Sequence, residues 1–140
     1  MKILLPVDGS DYTKRMLAYI AAHDELFGTE HDYTMLTVVA PIPANAARFL
    51  DRSVLDDHYR EQAEQALRPV RKFAAQQGWK VRVIHVHGHA AEEIAALATA
   101  EKSDLIVMGA HGHSALGNLV LGSVATGVLA RSRVPVLLIR

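Results

Sequence analysis

The fold of this chain is set by its opening stretch, ILLPVDGS at residues 3–10. Residues 3–7 form a continuous apolar run, which is typical of a strand buried on both faces of a sheet. The sequence Asp8-Gly9-Ser10 interrupts this run, and Ser10 or Asp11 can cap a helix that continues to about residue 27. The stretch therefore predicts a buried strand that turns sharply into a helix, which is the first half of a β-α-β unit.

The same alternation continues along the chain. Further strands are predicted at residues 33–39, 81–86, 105–108 and 134–139, with helices at 57–77, 90–102 and ending near 130. Alternating strands and helices predict an open parallel α/β sheet with right-handed crossovers, and such sheets bind ligands beyond the carboxyl ends of their strands. Residues 40–56 predict a long irregular loop, and a loop of that length is often a lid or simply mobile. Pro69 predicts a kink or break in the second helix.

Composition restricts the class of protein. The chain has 140 residues, which suits one domain with a buried core, and we expect residues 1–140 to form it. Lys plus Arg and Asp plus Glu number 15 each, and zero net charge argues against a protein built to bind nucleic acid or an anionic membrane. Cysteine is absent, which excludes disulfides and fits a reducing compartment. The first apolar run is too short for a signal peptide or a membrane span, so we expect a cytoplasmic protein.

A second stretch, VMGAHGHSALGNLVLGSVATGVL at residues 107–129, is rich in glycine and has no lysine or arginine. Gly109 and Gly112 lack a Cβ, so their amides can approach a ligand closely. Gly122 and Ser123 precede a helical pattern with Ser123 as a favourable N-cap, which gathers amides at the positive end of a helix. This spacing predicts an anion site that holds a polyphosphate through main-chain donors and the Ser123 hydroxyl.

Other interpretations of these residues stay open. The glycines can form ordinary turns between short helices, and Asp8, followed by Gly9, can be a turn-forming or capping residue without a ligand. The glycine stretch is not a P-loop, because the P-loop lysine is absent. It is not the dinucleotide fingerprint either, since that motif has G-x-G spacing and follows the first strand. An NAD enzyme or a P-loop ATPase is therefore not expected.

Three stretches together resemble the universal stress protein family: ILLPVDGS, DLIVMGAHGHSALGNLVLGSVATGVL and the terminal VPVLLIR. The resemblance covers essentially the whole chain in the same element order. Nucleotide-binding members of that family carry G-x2-G-x9-G-[ST], and Gly109, Gly112, Gly122 and Ser123 meet all of its spacings. The resemblance implies a five-stranded parallel sheet of order 3-2-1-4-5, ATP as the ligand, and a homodimer formed through residues 134–139. An apolar edge strand there would otherwise be bare.

Carried over by position, the resemblance implies a set of nucleotide contacts. They are Pro6, Asp8, Val38, Met108, Gly109, His111, Gly112, Gly122 and Ser123. Asp8 would accept hydrogen bonds from the adenosine part, with Pro6 shaping the wall, and Val38 would pack on adenine. Met108 and Gly109 would line the ribose side. Gly112, Gly122 and Ser123 would hold the phosphates, with Mg²⁺ at the Ser123 hydroxyl as an open option, and His111 occupies a position that is often basic or polar.

Histidines cluster after two of the predicted strands. His85 and His87 fall on one face if the third strand continues that far, and His89, His111 and His113 lie close to strand ends. Imidazoles suit zinc, copper or nickel, but no carboxylate or third ligand has a defining spacing, so no metal site is predicted. All but His85 are better placed near the ribose or phosphates of a ligand, where imidazole would gain charge below about pH 6.5.

No lysine clamp or arginine finger accompanies the glycine stretch, although hydrolysis of a γ-phosphate needs a counter-charge. We therefore expect a regulatory module of the stress response that binds ATP and hydrolyses it slowly at most. Two alternatives remain: a dimeric interaction protein of the same fold that binds no nucleotide, and a slow ATP phosphohydrolase.

Overall fold

The computed structural model describes residues 1–112 and 120–140, so that Gly117 and the predicted ligand neighbour His113 lie outside the described residues. The strands are β1 (Lys2–Pro6), β2 (Asp32–Val39), β3 (Val81–His87), β4 (Leu105–Gly109) and β5 (Val136–Ile139). The helices are α1 (Asp11–Ala22), α2 (Ala44–Ala47), α3 (Arg52–Gln76), α4 (Ala90–Ala100) and α5 (Ser123–Arg131).

The five strands form one parallel sheet of order β3-β2-β1-β4-β5, which confirms the predicted fold class and strand order. Alternate residues of β1 serve two different cores, because successive side chains of a strand point to opposite faces. Ile3 and Leu5 pack in a cluster with residues of α1 and α3, whereas Leu4 packs with residues of α4 and α5. This double burial explains why the run at residues 3–7 is apolar at every position rather than at every second one.

Strand order reverses at β1, which pairs with β2 on one side and β4 on the other. The amide of Val7 donates to the carbonyl of Leu36 in β2. Since backbone groups alternate in direction along a strand, Pro6 faces β4 and has no N–H to offer it. The paired register between β1 and β4 ends at Leu4↔Ile106. The two strands therefore leave a crevice at their carboxyl ends, where parallel sheets bind ligands.

The prediction that the first helix continues to residue 27 is wrong, because α1 ends at Ala22. Phe27 is nevertheless buried, at 4% exposure, and its amide donates to the carbonyl of His23 in a turn. Phe27 is therefore part of the core although it lies outside α1.

The predicted loop at residues 40–56 is also shorter than expected, since it contains α2 and the start of α3 at Arg52. Pro69 does not break α3, which is continuous through it. Because proline has no N–H, the carbonyl of Gln65, four residues before Pro69, receives no helical hydrogen bond from it. Gln65 and Pro69 are both exposed, so water can donate to that carbonyl instead. No described helix is long and apolar enough to cross a membrane.

Candidate functional site

A cavity of about 280 Å³ opens at the carboxyl edge of the sheet, beside the crevice between β1 and β4. Its volume is close to the lower end of the range of roughly 300–1,000 Å³ that is common for small-molecule sites. Its described lining residues are Pro6, Val7, Asp8, Thr13, Leu36, Val38, Ala90, Ile94, Met108, Gly109, His111, Gly112, Gly122, Ser123, Val124 and Ala125. All nine residues predicted to contact a nucleotide are among them, so the fold gathers these side chains and amides around one space.

The cavity is apolar on one side. Leu36, Val38 and Met108 stand at or near the ends of β2 and β4, and Ile94 of α4 faces the same space. Leu36, Ile94 and Met108 are buried in the core cluster between the sheet and the α4–α5 layer, and Val38 packs against it. This side of the cavity is an opening of the hydrophobic core itself, which suits a flat apolar group.

Asp8 is held firmly at the turn between β1 and α1. One of its carboxylate oxygens, Oδ1, accepts from the amide of Ser10 at 2.9 Å and from the hydroxyl of Thr13 at 2.8 Å. The Thr13 hydroxyl in turn accepts from the amide of Asp8 at 3.1 Å. The other oxygen, Oδ2, lies 2.7 Å from the position that a Cβ of Gly112 would occupy. Asp8 thus forms the turn that its sequence predicted and also faces the glycine stretch.

The other glycines of the site are required by packing within the protein. A Cβ on Gly109 would lie 2.8 Å from the Cβ of Tyr12, and a Cβ on Gly122 would lie 3.1 Å from the Cα of His111. The amide of Gly122 donates to the carbonyl of Ala110 at 2.9 Å, which ties the start of α5 to the end of β4. The missing side chains therefore let the end of β4, α1 and the start of α5 approach one another.

His111 contacts residues around the end of β4 and the start of α5. Its Nε2 is hydrogen-bonded to the carbonyl of Val120. Its ring is tilted against that of Tyr12, with centroids 4.9 Å apart. The guanidinium of Arg15 lies over the Tyr12 ring, 5.3 Å from its centroid. His111 Nδ1 is buried and has no hydrogen-bond partner within residues 1–112 and 120–140. The imidazole therefore lines the cavity and links Tyr12 of α1 to Val120, which lies shortly before α5.

The start of α5 differs in one detail from the prediction. Gly122, not Ser123, is the N-cap, and Ser123 is the first helical residue with no side-chain cap hydrogen bond. The first amide to bond within the helix is that of Thr126, which donates to the carbonyl of Gly122 at 3.0 Å. The amides of residues 123–125 precede it and have no intrahelical acceptor, as at every helix start. All three residues line the cavity.

Thr13 is a lining residue that sequence reasoning missed. It is 4% exposed, and it holds Asp8 through two hydrogen bonds. The signal was present as a threonine five residues after Asp8, on the first turn of a capped helix. Ile94 and Ala125 were also missed, because nothing in their helical spacing separates a cavity wall from ordinary core.

The predicted histidine face is present at the end of β3. β3 continues to His87, so His85 and His87 share one face, and both are exposed. The ring of His87 is stacked on that of Tyr59, with centroids 4.3 Å apart and planes 5° from parallel. The described residues contain no group of three or more His, Cys, Asp or Glu side chains that could hold a metal ion.

Residues 1–140 match the family model described as the universal stress protein family. The chain belongs to the universal stress protein family. One universal stress protein of Methanocaldococcus jannaschii is 32% identical over 142 residues, which cover 99% of this chain and 81% of that protein. A universal stress protein of Thermus aquaticus is 35% identical over 141 residues, which cover 99% of this chain and 97% of that one.

Solved structures of universal stress proteins share the fold. A second protein of Methanocaldococcus jannaschii is 31% identical in the structural alignment, which covers 99% of this chain and 94% of that chain with a TM-score of 0.82. A universal stress protein of Lactobacillus plantarum is 25% identical, with 100% and 97% of the two chains covered and a TM-score of 0.81. The family resemblance predicted from three short stretches of sequence is thus confirmed.

Proposed function

We propose that this universal stress protein binds an adenine nucleotide, with ATP as the preferred ligand, in the cavity at the end of the sheet, and that it acts as a regulatory module. The observation that carries the proposal is the division of the cavity wall. One side is apolar, the other side presents main-chain donors and one carboxylate, and no described lining residue is a lysine or an arginine.

The apolar side suits adenine. Val38, Leu36 and Met108 offer a surface against which a flat base can pack, and burial of such a ring from water is favourable in proportion to its apolar area. Asp8 stands at the boundary between the two sides, and a carboxylate accepts hydrogen bonds from ribose hydroxyls or from an amino group. Pro6, Met108 and Gly109 would line the ribose.

The donor side suits phosphates. The amides of residues 123–125 point out of the start of α5, where the helix dipole favours negative charge. Gly112 and Gly122 flank this end of the cavity, and the exposed Ser123 hydroxyl can add a further hydrogen bond. Mg²⁺ is commonly held by substrate phosphates and only one or two protein oxygens, so Ser123 is the proposed protein ligand if the metal accompanies ATP.

Nucleotides occur in other members of the fold. One universal stress protein was solved in complex with cAMP, and the one from Archaeoglobus fulgidus in complex with dAMP. Each is 22% identical to this chain, so it establishes a common fold and not a common ligand. The choice of an adenine nucleotide for this protein is therefore argued from its own cavity.

We propose that catalysis, if present, is slow. A phosphoryl-transfer enzyme stabilises charge on the transferred group with lysine, arginine or metal ions. The described wall of this cavity has neither cationic side chain, and Asp8, the only described carboxylate in it, already accepts two hydrogen bonds. Regulation would then act through a surface that differs between the bound and the free protein.

The proposal is tested first by what the purified protein carries. Gentle purification, denaturation and mass spectrometry of the released small molecules should identify an adenine nucleotide. In a thermal shift assay, ATP at 100 times its Kd should add about 2.7 kcal/mol of stability, and GTP should add less. Gly112→Val should abolish the ATP shift, because its side chain would occupy the space beside Asp8 where phosphate must pass.

A matched control adds similar bulk elsewhere. Ala100 is exposed at the end of α4, so Ala100→Val should keep the full ATP shift. If neither ATP nor AMP shifts the wild-type protein and none is released on denaturation, nucleotide binding is refuted.

A second function is favoured by one observation. Asp8 Oδ2 lies against Gly112, so a negative charge stands beside the place proposed for phosphates, and like charges repel. This arrangement fits an interaction protein of the same fold that binds no nucleotide and acts as a dimer. The absence of any nucleotide shift, together with a stable dimer, would select this function.

A further inference from the structure

We infer that the first turn of α1 positions the two halves of the ligand separately: Thr13 positions the nucleoside through Asp8, and Tyr12 positions the phosphates through the end of β4. This inference, that the nucleoside and the phosphates are positioned by different residues, rests on the proposed nucleotide function. Tyr12 and Thr13 are adjacent in sequence, and adjacent residues on a helix point in different directions. Their contacts diverge accordingly, one toward β1 and the other toward β4.

Thr13 controls the direction of the Asp8 carboxylate. The Thr13 hydroxyl donates to Asp8 Oδ1 at 2.8 Å and accepts from the Asp8 amide at 3.1 Å, which fixes both the side chain and the backbone of Asp8. The helix N-cap fixes Thr13 itself, since Ser10 Oγ accepts from the Thr13 amide at 3.4 Å. Because Oδ1 is occupied by these protein donors, the carboxylate is turned so that Oδ2 lies on the side of Gly112. Thr13 therefore selects which face of Asp8 a ligand meets.

Tyr12 controls the donor side of the cavity. Its Cβ fills the space above Gly109, and its ring packs on His111 at 4.9 Å between centroids. His111 is hydrogen-bonded to Val120, and its Cα fills the space beside Gly122. A continuous series of contacts thus runs from Tyr12 to the residue that caps α5. Loss of the Tyr12 ring would let His111 and the start of α5 shift, and the amides proposed to bind phosphate would shift with them.

Neither residue is assigned a direct contact with the reacting or recognised atoms. Both are positioning residues, and a positioning role differs from a general contribution to stability in one respect. General destabilisation by Tyr12→Leu would weaken every ligand alike, whereas loss of phosphate positioning weakens ATP and spares adenosine. For Tyr12 the two hypotheses can be told apart by using ligands that share the nucleoside and differ in the number of phosphates. For Thr13, which acts on the shared nucleoside, the distinction comes from Thr13→Ser and from the Asp8→Asn background.

The experiment measures the Kd of adenosine, AMP and ATP by competition against a fluorescent ATP analogue. Thr13→Val replaces the hydroxyl by a methyl group of similar size and should weaken all three ligands by the same factor, about tenfold, because Asp8 loses a charge-assisted hydrogen bond. Thr13→Ser retains the hydroxyl and should recover affinity to within about threefold of wild type. Tyr12→Leu should weaken ATP by about tenfold and leave adenosine within about twofold of wild type.

Matched variants remove the same groups outside the cavity. Tyr19→Leu deletes a ring on the same helix that stacks on His23, and Thr99→Val deletes a hydroxyl that donates to the Ala95 carbonyl. Both should bind all three ligands as the wild type does.

The inference is overturned if Tyr12→Leu weakens adenosine as much as ATP, or if Thr13→Val binds all three ligands normally. Failure of the wild-type protein to bind any of the three would instead refute the nucleotide function, and the inference with it.

A double variant tests whether Thr13 acts through Asp8. In an Asp8→Asn background, Thr13→Val should weaken adenosine by less than about twofold, since interacting residues are not additive.

Discussion

Asp8 and Gly112 are in contact across the cavity, with only 2.7 Å between Oδ2 of Asp8 and the point where a Cβ on Gly112 would lie. The contact joins the turn after β1 to the stretch after β4, two segments about a hundred residues apart in the chain. The ladder between these strands has already ended at Leu4↔Ile106. The two segments therefore approach each other beyond the last paired residues of the two strands.

Gly112→Ala should force the carboxylate of Asp8 away from its hydrogen bonds with Ser10 and Thr13. Overpacking of this kind destabilises by about 1–3 kcal/mol, and urea unfolding would measure it. Asp8→Ala removes the opposing carboxylate, so adding Gly112→Ala to that variant should change stability by less than about 0.5 kcal/mol. Equal losses in both backgrounds would mean that the two residues do not share this contact.

Gly109→Ala should be destabilising for a different reason. The new methyl group would lie 2.8 Å from the Cβ of Tyr12 and 3.3 Å from its carbonyl carbon, and neither atom can move without shifting α1. We expect a loss of about 2 kcal/mol, measured by urea unfolding.

Gly28→Ala is the control for Gly109→Ala. Its methyl group would meet chiefly the carboxyl end of the Glu30 side chain, which is flexible and can turn away, although the carbonyl of Asp24 is also near at 3.1 Å. The loss should be clearly smaller than at Gly109. If the two variants lose the same stability, the fit between α1 and the end of β4 is looser than the distances indicate.

The strand pattern was readable from sequence because the parallel sheet is buried on both faces. Because both faces of β1 are buried, residues 3–7 form a continuous apolar run, which is typical of a strand inside a parallel sheet. The turn at Asp8 follows from the Asp-Gly pair. The strand order and the site residues came from family resemblance, since spacing alone left ordinary turns as an equal interpretation of the glycines.

The details that sequence could not supply depend on tertiary contacts. Phe27 is buried from a turn and Pro69 lies on the exposed side of α3, and neither fact is encoded in local periodicity. The sequence also does not show why Gly109 must be glycine. Its missing Cβ makes room for the Cβ of Tyr12, and this contact forms only when α1 packs against the end of β4. Thr13 was missed for the same reason.

The edge strand β5 leads to a prediction about assembly. The amides of Ile106 in β4 and of Ala110 just after it donate to the carbonyls of Pro135 and Ile139. The alternating backbone groups of Val136 and Leu138 therefore face away from β4. An uncovered apolar edge is a pairing surface, and the family resemblance implies a homodimer there. Val136→Pro removes one outward donor and should convert a dimer to a monomer in light scattering at micromolar concentration.

Val136→Thr is the control for this edge. Threonine keeps the amide and the β-branched shape, so this variant should remain as dimeric as the wild type. A wild-type protein that is monomeric at these concentrations would contradict the homodimer, and a dimeric Val136→Pro variant would place the contact elsewhere.

Tyr33 should make stability sensitive to alkaline pH. Burial, reinforced by the negative charge of Glu30, raises the pKa of Tyr33 to about 12 from its usual value of 10. Tyr33 is 1% exposed and its ring stacks on that of Trp79. Its hydroxyl proton is shared between the carbonyls of Phe27 and Gly28, at 2.7 and 3.0 Å. Between these pH values the unfolded chain releases the phenolic proton and the folded chain retains it. The free energy of unfolding should therefore fall as pH rises from 10 to 12, by about 2 kcal/mol from this residue.

Urea unfolding of wild type and Tyr33→Phe at pH 8 to 12 isolates this contribution from the other groups that titrate at high pH. The phenylalanine variant lacks the two hydrogen bonds and should be less stable at pH 8. Because the variant has no phenol at this position to ionise, the difference in free energy of unfolding between the two proteins should narrow steadily above pH 10. Tyr19→Phe alters a more exposed ring and should show no such narrowing. Parallel stability curves for wild type and Tyr33→Phe up to pH 12 would mean that the Tyr33 proton is not held by the folded core.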